Sequence, residues 1–406
     1  MVDHLIFDSE SDLALNLVSA VDCVERTQPS KLLDHTGPCS SRWRHHPRLR
    51  PSHSTSSNSY STNFILTTTE RFGAALWRAA PCFNQRNAII ATHVRYLRVD
   101  PTFYPEHMDA FVFILAAVRP YLNEITFGNY EWAPKWRSFK TFPRLLQVAI
   151  LEIFTAPNLR TLMLGDFYDI PFQTLACCTQ LENLTVMHGG HREPTGLSSP
   201  LAGEGPERRC TLRTLGIHCD ACATSILNAF DLSSLCSLDV SLSISLTTIR
   251  SLLADAHQNL NDLSWELELS DLDLANARLI DLPDVKTLCI DLSRTPDSEG
   301  HLDLIVSLLS YKGSAAPRAL EVLTLVLYPT ESIWGWPNFE LSGLEAALPR
   351  DRYPRLKQVG LAILYHGDLE PPTRVFLEKF LAPVASLRAS GILQVWCTPD
   401  SFLELR

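Results

Sequence analysis

Apolar residues recur along this chain at one fixed spacing, L-x-x-L-x-L. Ten copies are present, at Val94-Leu97-Val99, Leu122-Ile125-Phe127, Leu159-Leu162-Leu164, Leu181-Leu184-Val186, Leu212-Leu215-Ile217, Leu235-Leu238-Val240, Leu260-Leu263-Trp265, Val285-Leu288-Ile290, Leu320-Leu323-Leu325 and Leu356-Val359-Leu361. Successive copies begin 22 to 37 residues apart, which is enough for one strand and the crossover helix that parallel strands require. A self-similar period of this size predicts a repeat architecture.

The residues inside each final L-x-L decide between two α/β folds. They are Arg98, Thr126, Met163, Thr185, Gly216, Asp239, Ser264, Cys289, Thr324 and Gly360. Strands of a doubly wound sheet are covered on both faces and read as continuous apolar runs, whereas here one face is apolar and the other is small and polar. We therefore expect an α/β leucine-rich-repeat-like solenoid, with a curved parallel sheet and helices on its convex face only.

Helical spacing of apolar residues appears between the template strands. The segments are 106–119, 145–154, 172–178, 249–257, 302–309 and 373–381. Prolines lie at several ends of these segments. This is expected, because proline is tolerated in the first turn of a helix and interrupts a helix interior. Thr247 or Thr248 is expected to cap the fourth segment.

Composition and charge restrict the class of protein. The chain has 406 residues, 46% of them hydrophobic, and a formal net charge of −10, so a folded, acidic protein is expected, with nucleic-acid binding not favoured. Eleven cysteines without regular spacing do not predict a disulfide framework. Acidic residues interrupt the first apolar stretch, and no apolar run is long enough for a membrane span. We expect an intracellular protein, cytoplasmic or nuclear, that does not enter membranes.

The first 63 residues differ from the rest of the chain. Residues 1–27 are weakly helical in pattern. Residues 28–63 are rich in Ser and Pro and carry five Lys or Arg residues against one Asp, so we expect a basic, disordered linker. A nuclear-localisation or nucleic-acid patch is the alternative for this segment. The solenoid is expected over residues 64–406.

Two sets of residues resemble a known family. SDLALNLVS, residues 11–19, resembles the second half of an F-box, and VDHLI, residues 2–6, resembles the end of that motif's first helix. An ordinary amphipathic helix is the alternative interpretation. ATHVRYLRV, TAPNLRTLMLGDF and CCTQLENLTV resemble the divergent leucine-rich repeats of fungal F-box proteins, notably the basidiomycete sets.

The repeats depart from that family at the position after L-x-L-x-x, where Asn or Cys usually ladders along the inside of the turn. Here the position holds Thr102, Tyr130, Phe167, Gly189, Asp220, Ser243, Glu268, Ser293, Tyr328 and Leu364. No asparagine ladder can form from these residues. Irregular repeats and an irregular curvature are therefore expected.

The resemblance implies a function. An F-box protein of this kind is the substrate-recognition subunit of a cullin-type ubiquitin ligase, in which the F-box binds a small adaptor protein and the repeats hold a target. The adaptor contacts would be Leu13, Leu15, Leu17 and Val18. The alternative is a stand-alone leucine-rich-repeat binding module that has lost adaptor binding.

Candidate partner contacts fall into two groups. Exposed aromatic residues on loops are typical anchors of protein interfaces, and the loops that follow strands carry Tyr130, Trp132, Tyr328, Trp334 and Trp336. The alternative is that these aromatics fold back and cap the core. Charged positions on the concave face, where solenoids bind partners, are Arg98, Glu124, Asp239 and Asp262.

The sequence shows no catalytic motif for phosphate, zinc-protease, serine-hydrolase or dinucleotide chemistry. The nearest approach to a metal site is His188 and His191 followed by His218, Cys219 and Cys222. A single C-x-x-C without a second pair is a weak signal, and cysteine packs readily as a small apolar residue. We predict a non-catalytic protein with neither metal nor cofactor.

Overall fold

A computed structural model describes part of the chain. The described residues are 4–5, 62–66, 88–99, 108–128, 137–165, 167–187, 210–241, 244–256, 258–267, 285–292, 299–310, 319–327, 341–365 and 374–399. Strands and helices alternate through these ranges. The fold class is therefore α/β, as the sequence predicted.

The main sheet of the described residues has thirteen strands, and every pair in it is parallel. In spatial order they are β1 (His4–Leu5), β2 (Thr62–Leu66), β3 (Val94–Val99), β4 (Glu124–Phe127), β6 (Thr161–Gly165), β8 (Asn183–Met187), β9 (Thr214–Ile217), β10 (Ser237–Val240), β11 (Asp262–Glu266), β12 (Thr287–Asp291), β13 (Val322–Leu327), β14 (Gln358–Tyr365) and β15 (Leu393–Pro399). Two further strands, β5 (Arg137–Ser138) and β7 (Phe167–Tyr168), pair with each other.

Helices connect most neighbouring strands. They are α1 (Ala88–His93), α2 (Met108–Val118), α3 (Arg144–Phe154), α4 (Phe172–Leu175), α5 (Asp220–Ala229), α6 (Leu246–Ala256), α7 (Glu299–Ser310), α8 (Ser342–Ala347), α9 (Arg374–Leu381) and α10 (Ala385–Ala389), with 3₁₀ turns at Phe139–Thr141 and Ala382–Val384. Consecutive helices from α1 to α6 pack side by side, as do α7 and α8. None of the described helices has the length and apolar character needed to cross a membrane.

The strand order shows which side of the sheet the helices occupy. A doubly wound sheet reverses its strand order at a switch point, but here the order follows the chain from β1 to β15, with β5 and β7 set aside. Because such crossovers are right-handed, an order that never reverses places the described crossover helices on one face. Burial agrees, since the strands alternate fully buried with half-buried residues, as in β6, β8 and β12.

All ten predicted strands form, and their middle apolar residues make one continuous buried row. Leu97, Ile125, Leu162, Leu184, Leu215, Leu238, Leu263, Leu288, Leu323 and Val359 are register partners from strand to strand. Each is at most 2% exposed. Burial of an aliphatic side chain contributes about 1.5–3 kcal/mol, so this leucine row is the main element of the core.

A second continuous row is made by backbone hydrogen bonds at the start of the strands. The carbonyl of Asn123 accepts the N–H groups of Arg160 and Thr161, and the carbonyl of Arg160 accepts those of Glu182 and Asn183. The same double acceptance continues through Glu182, Arg213, Cys236, Asn261, Lys286 and Glu321, at N···O distances of 2.7–3.1 Å. Each unit is therefore registered on the preceding one by the same two hydrogen bonds, whatever the length of chain between them.

Several expectations need correction. His4–Leu5 is a strand paired with Asn63–Phe64, whereas a helix end was expected there, because the backbone of this segment extends the sheet edge. Thr62 and Asn63 belong to β2, so the predicted linker 28–63 ends inside a strand. The helix α5 and the strand β15 were not predicted. Ser245, and neither predicted threonine, caps α6, since its hydroxyl accepts the N–H of Thr248 at 3.3 Å.

Leu288→Ala should lower the free energy of unfolding by roughly 2–5 kcal/mol, because it opens a cavity in the leucine row. Chemical denaturation measures the change. Thr287→Ala is the matched control on the adjacent residue, whose side chain lies on the opposite, half-buried face. It should cost less than about 1 kcal/mol. Equal losses for the two variants would contradict a one-sided core.

Candidate functional site

The face of the main sheet opposite the leucine row is lined by side chains from eleven neighbouring strands, β3 to β15. We call it the open face. Its side chains lie in three rows that follow the strand register. Most of them are half-buried or exposed, and small or polar residues predominate. From β3 to β15 this surface extends about 48 Å, at about 4.8 Å per strand.

The rows are defined by register partners. The first row is Tyr96, Glu124, Thr161, Asn183, Thr214, Ser237, Asp262, Thr287, Val322 and Gln358; the second is Arg98, Thr126, Met163, Thr185, Gly216, Asp239, Ser264, Cys289, Thr324, Gly360 and Gln394; the third, on β11 to β15, is Glu266, Asp291, Val326, Ala362 and Trp396. The second row down to β14 consists of the residues inside each final L-x-L, and the first row contains the predicted Glu124 and Asp262.

The four charged residues predicted for this face are on it, but they do not form one site. Arg98 and Glu124 are on β3 and β4, and Asp239 and Asp262 are on β10 and β11. The nearest strands of the two groups, β4 and β10, are four strand spacings apart, or about 19 Å. Burial raises the pKa of the Glu124 carboxyl, whereas Asp239 and Asp262 are exposed. The exposed pair has the better access to a partner.

The remaining predicted contacts cannot be placed. Tyr130, Trp132, Tyr328, Trp334 and Trp336 lie outside the described residues, and so do the adaptor contacts Leu13, Leu15, Leu17 and Val18. Both groups therefore stay predictions.

Gln394 and the five residues of the third row were not predicted. Glu266 and Asp291 follow the last template position of their strands, because β11 and β12 continue one residue beyond the L-x-L pair. Trp396 is on β15, where Leu393 and Val395 pair with Val359 and Leu361. Its strand escaped detection since the first template position is a serine, residue 390. Only the alternation of apolar residues within 393–397 could have indicated it.

Trp396 has an unusual position on the sheet. It is 39% exposed, and its ring leans from β15 over Gly360 of β14. A Cβ atom built on Gly360 would lie 2.5 Å from Cζ3 and 2.7 Å from Cη2 of the indole. The absence of a side chain at residue 360 therefore gives the ring its place. The result is an aromatic platform at the C-terminal end of the open face.

Four buried or half-buried cysteines, Cys178, Cys210, Cys222 and Cys397, do not have the chemistry of nucleophiles. Burial raises the pKa of Cys178 and Cys397, and raises that of Cys210 to about 12. The pKa of Cys222 is raised first by its hydrogen bond to Cys219 and then by burial. A reactive cysteine needs a lowered pKa. The Cys219 sulfur instead accepts the backbone N–H of Cys222 at 3.3 Å, and so caps α5.

The described ranges contain no group of three or more His, Cys, Asp or Glu side chains placed to hold a metal ion. His188 and His191 lie outside these ranges, so the part of the weak metal motif that they would supply stays untested. Cys219 and Cys222 have the capping role described above.

Comparisons with known proteins do not assign this chain to a family. No protein-family model matches the chain, and a search of curated proteins gives no match. Fold and site therefore rest on the residues of this chain.

Gly360→Ala should displace the Trp396 ring, since the new methyl group would meet the indole at 2.5 Å. In protein labelled with 5-fluorotryptophan, the ¹⁹F resonance of Trp396, assigned with Trp396→Phe, should shift. The free energy of unfolding should change by less than about 1 kcal/mol, because the half-exposed ring is able to move. Gly216→Ala is the control: it crowds Thr185 at 2.9 Å and should leave the Trp396 resonance in place. An unshifted resonance in Gly360→Ala would contradict the platform.

Proposed function

We propose that this chain is a leucine-rich-repeat-like solenoid that binds another protein on its open face, without catalysis. The observation that carries the proposal is the open face itself: small and polar side chains along parallel strands, backed by a continuous leucine row. Solenoids use such extended surfaces for binding.

The solenoid part of the proposal has three supports. The L-x-x-L-x-L copies coincide with the strands, the strand order follows the chain, and the double-acceptor carbonyls recur from unit to unit. Curvature follows from packing distances, since neighbouring strands are about 4.8 Å apart and packed helices about 8–10 Å apart. The helical side must be the convex one. Unequal intervals of 22–37 residues make the repeats irregular.

A protein partner fits this surface better than a small molecule or nucleic acid. Small-molecule sites are concave pockets that enclose most of the ligand, whereas the open face is broad and lined by short side chains. Nucleic-acid binding depends on Lys and Arg against phosphates. The net charge of −10 and the exposed Asp239 and Asp262 act against that.

Within this class we favour the substrate-recognition subunit of a cullin-type ubiquitin ligase. Its support is the resemblance of residues 11–19 to an F-box, in which Leu13, Leu15, Leu17 and Val18 would contact the adaptor. The alternative is a stand-alone leucine-rich-repeat module that no longer binds the adaptor. Both forms hold their target on the open face, and only the first needs the N-terminal segment.

Adaptor binding distinguishes the ubiquitin-ligase subunit from the stand-alone module. We expect the wild-type chain to co-purify with the F-box adaptor protein, and Leu17→Glu with Val18→Glu to abolish this, because charges cannot occupy an apolar interface without a large desolvation cost. Thermal unfolding of the variant should match wild type. A wild-type chain that fails to bind the adaptor would leave the stand-alone module as the function.

A substitution on the open face tests target binding. Thr287→Arg places a long charged side chain in the middle of the open face, and it should remove the proteins that the wild type retains in quantitative affinity purification. Ala116→Arg adds the same side chain to the exposed surface of α2 and should retain them. Loss with both variants, or with neither, would argue against the open face as the binding surface.

A further inference from the structure

β15 forms the C-terminal edge of the main sheet. It is the last strand in the order of the described residues, and its seven residues, Leu393–Pro399, pair with β14 on one side only. The strand at the opposite edge, β1, has only two residues. Edge strands usually avoid pairing with other chains by being short or by carrying charged residues. β15 has neither protection, because none of residues 393–399 is charged.

The hydrogen-bonding groups of three β15 residues point away from the sheet. The N–H of Val359 donates to the carbonyl of Ile392 at 2.8 Å, although its register partner is Leu393. In a parallel ladder a residue bonds to the two neighbours of its register partner, so the groups of successive residues point to opposite sides. Leu393, Val395 and Cys397 therefore direct their N–H and C=O groups outward, where the described residues place no strand.

The apolar core is incompletely covered at β15. On β14, three core-facing residues are 0% exposed: Val359, Leu361 and Ile363. Their register partners on β15 are only half-buried: Leu393, Val395 and Cys397. Burial of apolar surface is favourable in proportion to the area removed from water. A further strand beyond β15 would thus complete both the hydrogen bonds and the apolar cover of the edge.

The chemistry of that further strand follows from β15. It must offer a row of outward backbone groups, and it needs apolar side chains at alternate positions to cover the half-buried residues of β15. It should also be uncharged where it packs against them. β15 itself meets these requirements, because Leu393, Val395 and Cys397 alternate with Gln394 and Trp396. A second copy of this chain therefore supplies the complementary strand.

A two-fold axis at Val395 gives the pairing that uses the most backbone groups. Val395 then lies opposite Val395 of the second copy, and Leu393 lies opposite Cys397 of the second copy. Opposed residues of this type exchange two hydrogen bonds in an antiparallel pair, so all three residues are satisfied. A shift by one residue would oppose them to Gln394 and Trp396, whose groups point to β14, and would place apolar side chains on the wrong face.

We propose that two copies of this chain associate through β15, by antiparallel pairing of the two strands about a two-fold axis at Val395. The sheet then continues from one copy into the other, with both leucine rows on one side and both open faces on the other. An isologous contact of this kind is closed, so the assembly stops at two copies. It goes beyond the proposed target binding, because it uses the edge of the sheet and not the open face.

Sedimentation velocity of the full-length chain over a range of concentrations measures the association. The wild type should shift from monomer to dimer as its concentration rises. Val395→Lys places two like charges directly opposite each other, which is destabilising, so the dissociation constant should rise about tenfold or more. Val395→Glu should have the same effect. Ala116→Lys, on the exposed surface of α2, is the charge control and should dimerise as wild type.

Mixing the two charged variants tests the register. With Lys in one copy and Glu in the other, the opposed side chains attract each other. An equimolar mixture of Val395→Lys and Val395→Glu should therefore form a heterodimer at a concentration at which each variant alone is monomeric. Mixing cannot repair a variant that fails to fold, so this rescue distinguishes a lost interface from a structural defect.

Amide hydrogen exchange locates the interface. The peptide that contains residues 393–397 should exchange more slowly at concentrations where the wild type is dimeric than at concentrations where it is monomeric, because pairing protects the outward N–H groups. The same peptide in Val395→Lys should show no such dependence on concentration. Ala116→Lys should behave as wild type.

Other occupants of the edge give different results. A wild-type chain that stays monomeric at every concentration overturns the proposal, and so do dimers of both charged variants that are as stable as the wild-type dimer. A monomeric wild type that dimerises only after deletion of residues 400–406 would identify the chain's own C-terminal segment as the occupant. A mixture of the charged variants that forms no heterodimer would contradict the two-fold axis at Val395.

Discussion

The repeated double acceptance by one carbonyl is the constraint on which the structure depends. From Asn123 to Glu321, each of these carbonyls receives two successive N–H groups of the next unit. The pair of bonds fixes where the next strand begins, and the strand register then aligns the leucine row. Buried backbone groups must be hydrogen-bonded, so a unit that slipped by one residue would lose these bonds and turn its leucines to the open face.

This constraint acts only at the strand starts, which explains why the intervening chain varies so much. Successive units differ in length by up to 15 residues, from 22 to 37, yet the register is unbroken from β3 to β14. Closing a longer loop costs little additional entropy. The variable segments are thus tolerated between strands whose alignment is set by hydrogen bonds and apolar burial.

Side chains on the open face are not required for the double-acceptor hydrogen bonds or for apolar burial, so their chemistry is more diverse. Short side chains predominate, and two glycines give space to neighbours: Gly216 to Thr185, and Gly360 to Trp396. Carboxylates concentrate on β10 to β12, while Arg98 is on β3, at the other end. Because register brings residues far apart in sequence into one row, charge and aromatic surface combine there without any local sequence signal.

The sequence by itself determined the periodic features. Spacing and alternation identified ten strands, the buried leucines and the uncovered face, because apolar burial acts on each strand in the same way and leaves a local pattern. Tertiary structure decided the rest. Because Ser390 stands at the first template position, the sequence pattern did not indicate β15. The extension of β11 and β12 places Glu266 beside Asp291. The ring of Trp396 lies over Gly360. Such contacts depend on register between strands 25 to 34 residues apart, and local sequence does not encode register.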